Sequence, residues 1–176
     1  MTEVYLGLGS NQDPERNVRS TLVALDALLE DLRISPVFDC EAVGYNGPSF
    51  LNLVVAGHTS LPLPELVAEL KRIEVAHGRK HDGKKFSPRP IDVDILLFGE
   101  LIGQFGRVIL PREEILENAF VLWPLSVLAP RRSHPIAGQT YEALWASYDQ
   151  AQRLRPVPFL WRGHDLSAGV ESPPLP

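Results

Sequence analysis

Two stretches of helical periodicity, each framed by short strand-like runs, constrain this chain more than any other feature. Val4–Leu8 is an apolar run that stops at Gly9-Ser10-Asn11, as a buried strand does on meeting a turn. Asp13-Pro14-Glu15 then offers a cap, a proline suited to the first helical turn and an early acid. Val18, Leu22, Leu25, Leu29 and Leu32 follow at helical spacing, which predicts a helix to about Leu32. The β-branched and aromatic stretch Arg33–Val43, interrupted by Pro36, reads as a strand with an irregular start or an edge position. After the loop 44–48, Leu51–Thr59 is the next strand, and Leu63, Leu66, Val67, Leu70 and Ile73 form one face of a second helix stopped by Gly78. Ile91–Phe98 is again a buried strand. The order βαββαβ predicts an α+β chain, a ferredoxin-like split βαβ sandwich in which helices cover one face of a mainly antiparallel sheet and leave the other for a site.

The C-terminal additions are weaker in pattern. Leu101–Leu110 reads as a strand, Glu113–Glu117 as one helical turn and Gln139–Trp145 as a short helix. The proline-rich stretch beyond Arg155 is not expected to pack as regular structure. Residues 1–154 are therefore expected to form a single domain and 155–176 a tail, and 176 residues suit one core. No segment approaches the roughly 18 apolar residues a membrane span needs, and the start of the chain lacks a signal-peptide pattern. Cys40 is the only cysteine, which rules out an internal disulfide and fits a reducing compartment. A cytoplasmic, membrane-free monomer is the expectation. The net charge of −5 gives no general attraction to polyanions, so nucleic acid is not an expected partner and any phosphate chemistry must be local.

One strand carries the sharpest chemical pattern. In Ile91-Asp92-Val93-Asp94-Ile95 the alternation places both carboxylates on one face and the aliphatic residues on the other. Such a pair is either two solvated acids on a half-exposed strand or a set of ligands for Mg²⁺, which favours carboxylate oxygens and completes its shell with water and substrate phosphates. The preceding segment holds Arg79, Lys80, Lys84, Lys85 and Arg89 against Asp82. By itself it is a solvated basic loop; beside two metal-binding carboxylates it makes a polyphosphate clamp. Gly9-Ser10-Asn11 either merely opens the first helix or supplies polar groups at the working end of the sheet. Phe50 and Asn52 share a face of their strand, and Phe120 lies far off in sequence. These aromatics are either core or the two sides of a flat heterocycle whose polar edge Asn52 would read.

In combination, Gly9-Ser10-Asn11, the 50–55 strand, Arg72-Ile73-Glu74 followed by Gly78-Arg79, the 86–98 run and the 120–125 segment resemble the 6-hydroxymethyl-7,8-dihydropterin pyrophosphokinase family, over roughly residues 3 to 145. The resemblance implies transfer of diphosphate from ATP to the hydroxymethyl group of the pterin, with AMP as by-product, in folate biosynthesis. It implies two Mg²⁺ ions held by Asp92 and Asp94, and attack of the hydroxymethyl oxygen on the β-phosphorus without a protein nucleophile. Arg79, Arg89, Asp92 and Asp94 would be the catalytic groups. Phe50 and Phe120 would stack on the pterin, Asn52 would bond its edge, and the backbone around Cys40 and Val43 would complete its pocket. Glu74, Arg79, Lys85, Phe86, Arg89, Ile95, Arg107 and Arg112 would face ATP.

The chain departs from the family pattern at several positions. Arg112 and Asn118 stand where the family usually carries a histidine and an arginine, Phe86 where it often has tryptophan, and Cys40-Glu41 at positions of different usual composition. The loop before Phe50 is about one residue short. A binding protein without turnover and another Mg²⁺-dependent phosphotransferase are the competing readings.

Overall fold

The computed structural model describes residues 1–41, 47–78 and 89–170. Val43, Arg79, Lys80, Lys84, Lys85 and Phe86, with most of the basic segment and part of the 44–48 loop, lie outside the described residues.

The elements run β1 (Thr2–Ser10), α1 (Pro14–Leu28), β2 (Glu30–Ile34), β3 (Val37–Cys40), β4 (Phe50–Thr59), α2 (Leu63–Ala76) and β5 (Asp92–Phe98). There follow β6 (Gly103–Phe105), β7 (Val108–Leu110), α3 (Glu114–Glu117), α4 (Ala119–Leu128), α5 (Tyr141–Ala146), β8 (Leu154–Val157), β9 (Leu160–Trp161) and β10 (His164–Asp165). The main sheet has the order β5-β1-β4-β3-β8, with β2 also on β4, and its paired neighbours are antiparallel. The mixed α/β chain with an antiparallel sheet follows the expected order of its first elements.

α1 ends at Leu28 rather than near Leu32, because Glu30–Ile34 pairs with β4 instead of continuing the helix. The predicted 33–43 strand is two strands divided at Pro36, which cannot donate to a ladder. Ser35 spans the break: its backbone N–H donates to the Val54 carbonyl at 2.9 Å and its hydroxyl accepts from Val54 N–H at 2.8 Å. Leu101–Leu110 is a two-stranded hairpin turning at Gly106, whose φ of 63° suits glycine.

Both sheet faces are covered. Val4, Leu6, Leu8, Leu53, Val55, Val93 and Ile95 pack with α1 and α2 residues such as Leu22, Leu25, Leu66 and Leu70. Tyr5, Val54, Ala56, Leu96 and Leu97 pack on the opposite side with α4 and α5 through Val121, Leu122, Leu125 and Tyr141. The β1–β5 register shifts between Tyr5 and Leu6, and adjacent Leu96 and Leu97 consequently both belong to the second core. This second layer corrects the expectation of a wholly open face; the site occupies only what α4 and α5 leave uncovered. α4 has no counterpart in the sequence reading. It is buried on most sides and so has no polar face to give a helical period, and Pro124 lies inside it.

The stretch beyond Arg155 was not expected to form regular structure, and this too is corrected. β8 pairs with β3 from Val37↔Val157 to Cys40↔Leu154, and Phe159 is 2% exposed in the α1–α2 core beneath the Arg19 guanidinium at 4.5 Å. Ser167 binds Val37 in both directions, its hydroxyl accepting from Val37 N–H at 2.9 Å and donating to the Val37 carbonyl at 3.2 Å. Phe159→Ala is expected to destabilise the whole domain by about 3 to 5 kcal/mol, the range for emptying a buried aromatic site. A urea midpoint unchanged from wild type would show the tail to be an independent appendage.

Candidate active site

At one end of the sheet the pairings bring residues from four strands into a row. Asp92 lies opposite Gly9, Gly9 opposite Asn52, and Asn52 opposite Phe38. Asp94 lies opposite Gly7, and Phe50 opposite Cys40. Because side chains alternate along a strand, Asp92, Asp94, Phe50, Asn52, Phe38 and Cys40 share one face, with two glycines at its centre. Those glycines remove side chains where the face would otherwise be filled. A Cβ built at Gly9 would stand 2.8 Å from Asn52 Oδ1 and 3.8 Å from Phe50 Cδ1, so Phe50 and Asn52 lean over bare backbone.

The carboxylates sit among guanidinium groups. Arg89 Nη1 is 3.1 Å from Asp92 Oδ2, and Arg112 Nη2 is 3.6 Å from Asp94 Oδ2. Arg112 is held in turn by Glu114 at 2.6 Å and by its own N–H, which donates to the Leu96 carbonyl at 3.0 Å. Burial pushes the Asp94 carboxyl up to about 6; Arg112 opposes this, and the charges of Asp92, Glu114 and Glu74 add to the rise. Since 42% of the side chain remains exposed, water tempers that rise. A crowded anion of this kind gains more from a cation than a solvated one does.

Gly9-Ser10-Asn11 does more than open a helix. The Ser10 hydroxyl donates to the Pro90 carbonyl at 2.5 Å. Asn11 Oδ1 accepts from Arg89 N–H at 2.6 Å, and Asn11 N–H donates to the Arg89 carbonyl at 3.1 Å. The end of β1 thereby fixes the residues that lead into Asp92. Glu74 works from beneath: 6% exposed on α2, its carboxylate accepts from Val93 N–H at 3.0 Å on the free side of edge strand β5. Glu74→Ala is expected to cost about 1 to 3 kcal/mol by depriving a buried N–H of this acceptor, whereas Glu74→Gln keeps an acceptor and most of the stability. Equal melting temperatures for the two variants would remove this anchoring role.

On the other side of Gly9, Phe38, Cys40 and Trp123 form a small apolar cluster with Phe120 packed against it, so α4 brings Phe120 to the Cys40 wall. The Trp123 ring lies 4.7 Å from Phe38 and stacks on Trp145 at 5.1 Å. Burial pushes the Cys40 thiol up to about 12, while a hydrogen bond with the Asn52 side chain opposes it. Cys40 is thus a neutral wall residue and not a nucleophile.

Of the residues singled out from sequence, the structure brings Cys40, Phe50, Asn52, Asp92, Asp94, Arg89, Arg112 and Phe120 to this region. Ile95 is different: its side chain is in the α1–α2 core, so only its backbone is available on the Asp94 side. Arg107 is exposed at the turn between β6 and β7. Glu114 carried no sequence signal, being one acid in an acidic helical turn, and neither did Gln152; Trp123 was legible only as part of the 120–125 segment, with no role attached. Among the described residues no three His, Cys, Asp or Glu side chains gather as a metal group, and no helix is long and apolar enough to cross a membrane. A two-carboxylate site suits a hard cation that keeps waters and takes its remaining ligands from a polyphosphate.

A carboxylate pair beside guanidinium groups, with aromatic and amide side chains on the same sheet face, is equipped for phosphoryl-group transfer to a flat acceptor. The comparisons with known proteins agree. Residues 5–130 match the 7,8-dihydro-6-hydroxymethylpterin-pyrophosphokinase (HPPK) family. The chain is 36% identical over 138 residues to the 2-amino-4-hydroxy-6-hydroxymethyldihydropteridine pyrophosphokinase of Aquifex aeolicus, covering 77% of this chain and 86% of that one. It is 37% identical over 131 residues to the protein of the same name from Pseudomonas aeruginosa, covering 72% and 80%. The chain belongs to the HPPK family. Its fold is also that of crystal structures of Plasmodium falciparum HPPK-DHPS, such as the wild type with pteroate, at a TM-score of 0.65 and 14% identity over 84% of this chain. It spans 42% of that longer protein.

Proposed function

We propose that this chain transfers the diphosphate of ATP to the hydroxymethyl group of 6-hydroxymethyl-7,8-dihydropterin, releasing AMP, as a pyrophosphokinase of folate synthesis. The observation that carries the reading is the single sheet face on which Asp92 and Asp94, Gly7 and Gly9, and Asn52, Phe50 and Cys40 stand in register. Acid pair, glycines, and amide and aromatic side chains follow one another across adjacent strands, the order that a polyphosphate joined to a pterin requires.

Asp92 and Asp94 fit two Mg²⁺ ions brought with ATP, as hard oxygen ligands whose mutual repulsion a cation relieves. Bound there, Mg²⁺ would withdraw charge from the phosphate oxygens. Arg112 and Arg89 hold cationic groups beside the two acids, and in the presence of ATP each can turn to a phosphate oxygen. Arg112 thereby supplies positive charge where the family more often has histidine. Phe50 and Phe120 would clasp the pterin ring, and Asn52, beside Cys40 on the same face, would present its amide to the polar edge. Catalysis in this site is positioning and charge stabilisation, with no covalent enzyme intermediate.

The sheet order, with β1 central between β5 and β4 and the second-strand region beyond, supports a ferredoxin-like split βαβ topology. The buried free thiol of Cys40 supports a reducing, cytoplasmic setting. The test is AMP formation from Mg-ATP with and without 6-hydroxymethyl-7,8-dihydropterin. Pterin-dependent AMP is the expected product; ADP, or pterin binding without any nucleotide product, would replace this reading by another phosphotransferase or by a binding protein.

A further inference from the structure

Residues 131–170 lie beyond the stretch matched to the family, yet one of their side chains reaches the start of the helix that carries Phe120. α4, which carries Phe120, is preceded by Asn118 at its cap position, and the Asn118 side chain does not cap the helix. The Asn118 amide instead donates to Glu114 at 3.5 Å. The acceptor for the first helical amide comes from Gln152, whose Oε1 accepts from Ala119 N–H at 2.7 Å. Gln152 Nε2 donates to the Glu117 carbonyl at 3.3 Å and to Asn118 Oδ1 at 3.2 Å. One side chain therefore ties down Glu117, Asn118 and Ala119, the residues immediately before Phe120. The Tyr148 hydroxyl adds a bond to the Glu117 carbonyl at 2.8 Å.

The same segment is fastened to the opposite wall. Leu154 pairs with Cys40 in the β8–β3 ladder, and Glu41 N–H donates to the Arg153 carbonyl at 3.3 Å. Residues 152–154 thus bridge the strand that carries Cys40 and the helix start that carries Phe120, and their geometry sets the gap between the two.

We infer that Gln152 is a positioning residue of the pterin pocket, holding Phe120 at the separation from β3 and β4 that a flat ring fills. The inference rests on the reading of Phe120 as a pterin wall. Stacking contacts fall off within an ångström of displacement, so a loosened helix start weakens pterin binding before it unfolds the domain. A merely structural role would lower the melting temperature and weaken both substrates alike.

The test uses the full chain, with calorimetric Kd values for 6-hydroxymethyl-7,8-dihydropterin in the presence of Mg²⁺ and a non-hydrolysable ATP analogue, and for the analogue itself. Gln152→Ala is expected to raise the pterin Kd about tenfold, the scale of one lost hydrogen bond, and to leave the nucleotide Kd unchanged. Gln152→Glu keeps the acceptor for Ala119 and is expected to recover part of the loss; it also stands in if the alanine variant fails to fold. Wild-type pterin affinity in the Gln152 variants, or an equal loss for both ligands, would overturn the inference while Phe120→Ala still loses pterin. Wild-type affinity in Phe120→Ala would instead remove the pocket reading, and this inference with it.

Discussion

Asp94→Ala is expected to lower pterin-dependent AMP formation by about three orders of magnitude or more while leaving the protein folded. The argument starts from electrostatics. Asp94 sits in a cluster with Asp92, Glu114 and Glu74, only partly offset by Arg112, and its carboxyl is pushed up to about 6. The anion is thus costly to the metal-free fold and gains most from a divalent cation.

The sign of the pH effect follows. An acid whose folded value lies above the ordinary 3.8 stabilises the fold below that ordinary value, and the contribution is lost as pH rises towards about 6. In EDTA, Asp94→Asn should therefore gain in melting temperature relative to wild type between about pH 4 and pH 7. Added Mg²⁺ with an ATP analogue should raise the melting temperature of wild type more than that of the variant. Pterin-dependent AMP at the wild-type rate in Asp94→Ala would sink the metal site. A metal-free variant less stable than wild type at neutral pH would show Asp94 to be a structural ion-pair partner of Arg112.

Much of this site was legible because strands encode facing directly. The period of two around Asp92 and Asp94, and around Phe50 and Asn52, stated which side chains share a surface before any partner strand was known. Resemblance then named the remaining members; of those described, Cys40, Arg89, Arg112 and Phe120 lie in this region, whereas the Ile95 side chain is in the α1–α2 core, Glu74 lies beneath β5 and Arg107 is at the β6–β7 turn. What stayed hidden has physical causes. α4 is apolar on nearly every side, so burial erased the period by which a helix is read, and Pro124 disguised it further. Gln152 and Ser167 act through side-chain hydrogen bonds to residues distant in sequence, and pattern cannot foretell such pairings. The tail looked unstructured because prolines dominate it; Pro156 nevertheless sits opposite Phe38 on edge strand β8, where a missing N–H can be tolerated.

Gly9→Ala carries the second large effect, an expected fall of about a hundredfold in kcat/KM for the pterin with little change in the KM for ATP. Gly9 is flanked on both sides by ladders, to Asn52 and to Asp92, so its backbone has nowhere to retreat. The added methyl would meet Asn52 Oδ1 at 2.8 Å, closer than a carbon and an amide oxygen can settle, and the side-chain amide is the part able to yield. Yielding turns Asn52 away from Cys40 and from the edge it would present to the pterin. If the methyl acts in this way, Asn52→Ala should cause a similar loss, and the double variant should be little worse than either single one. Additive losses would mean that the methyl blocks the ring itself, placing the pterin directly over Gly9 rather than against Asn52. Wild-type pterin kinetics in Gly9→Ala would mean that the hollow over β1 is not part of the acceptor pocket at all.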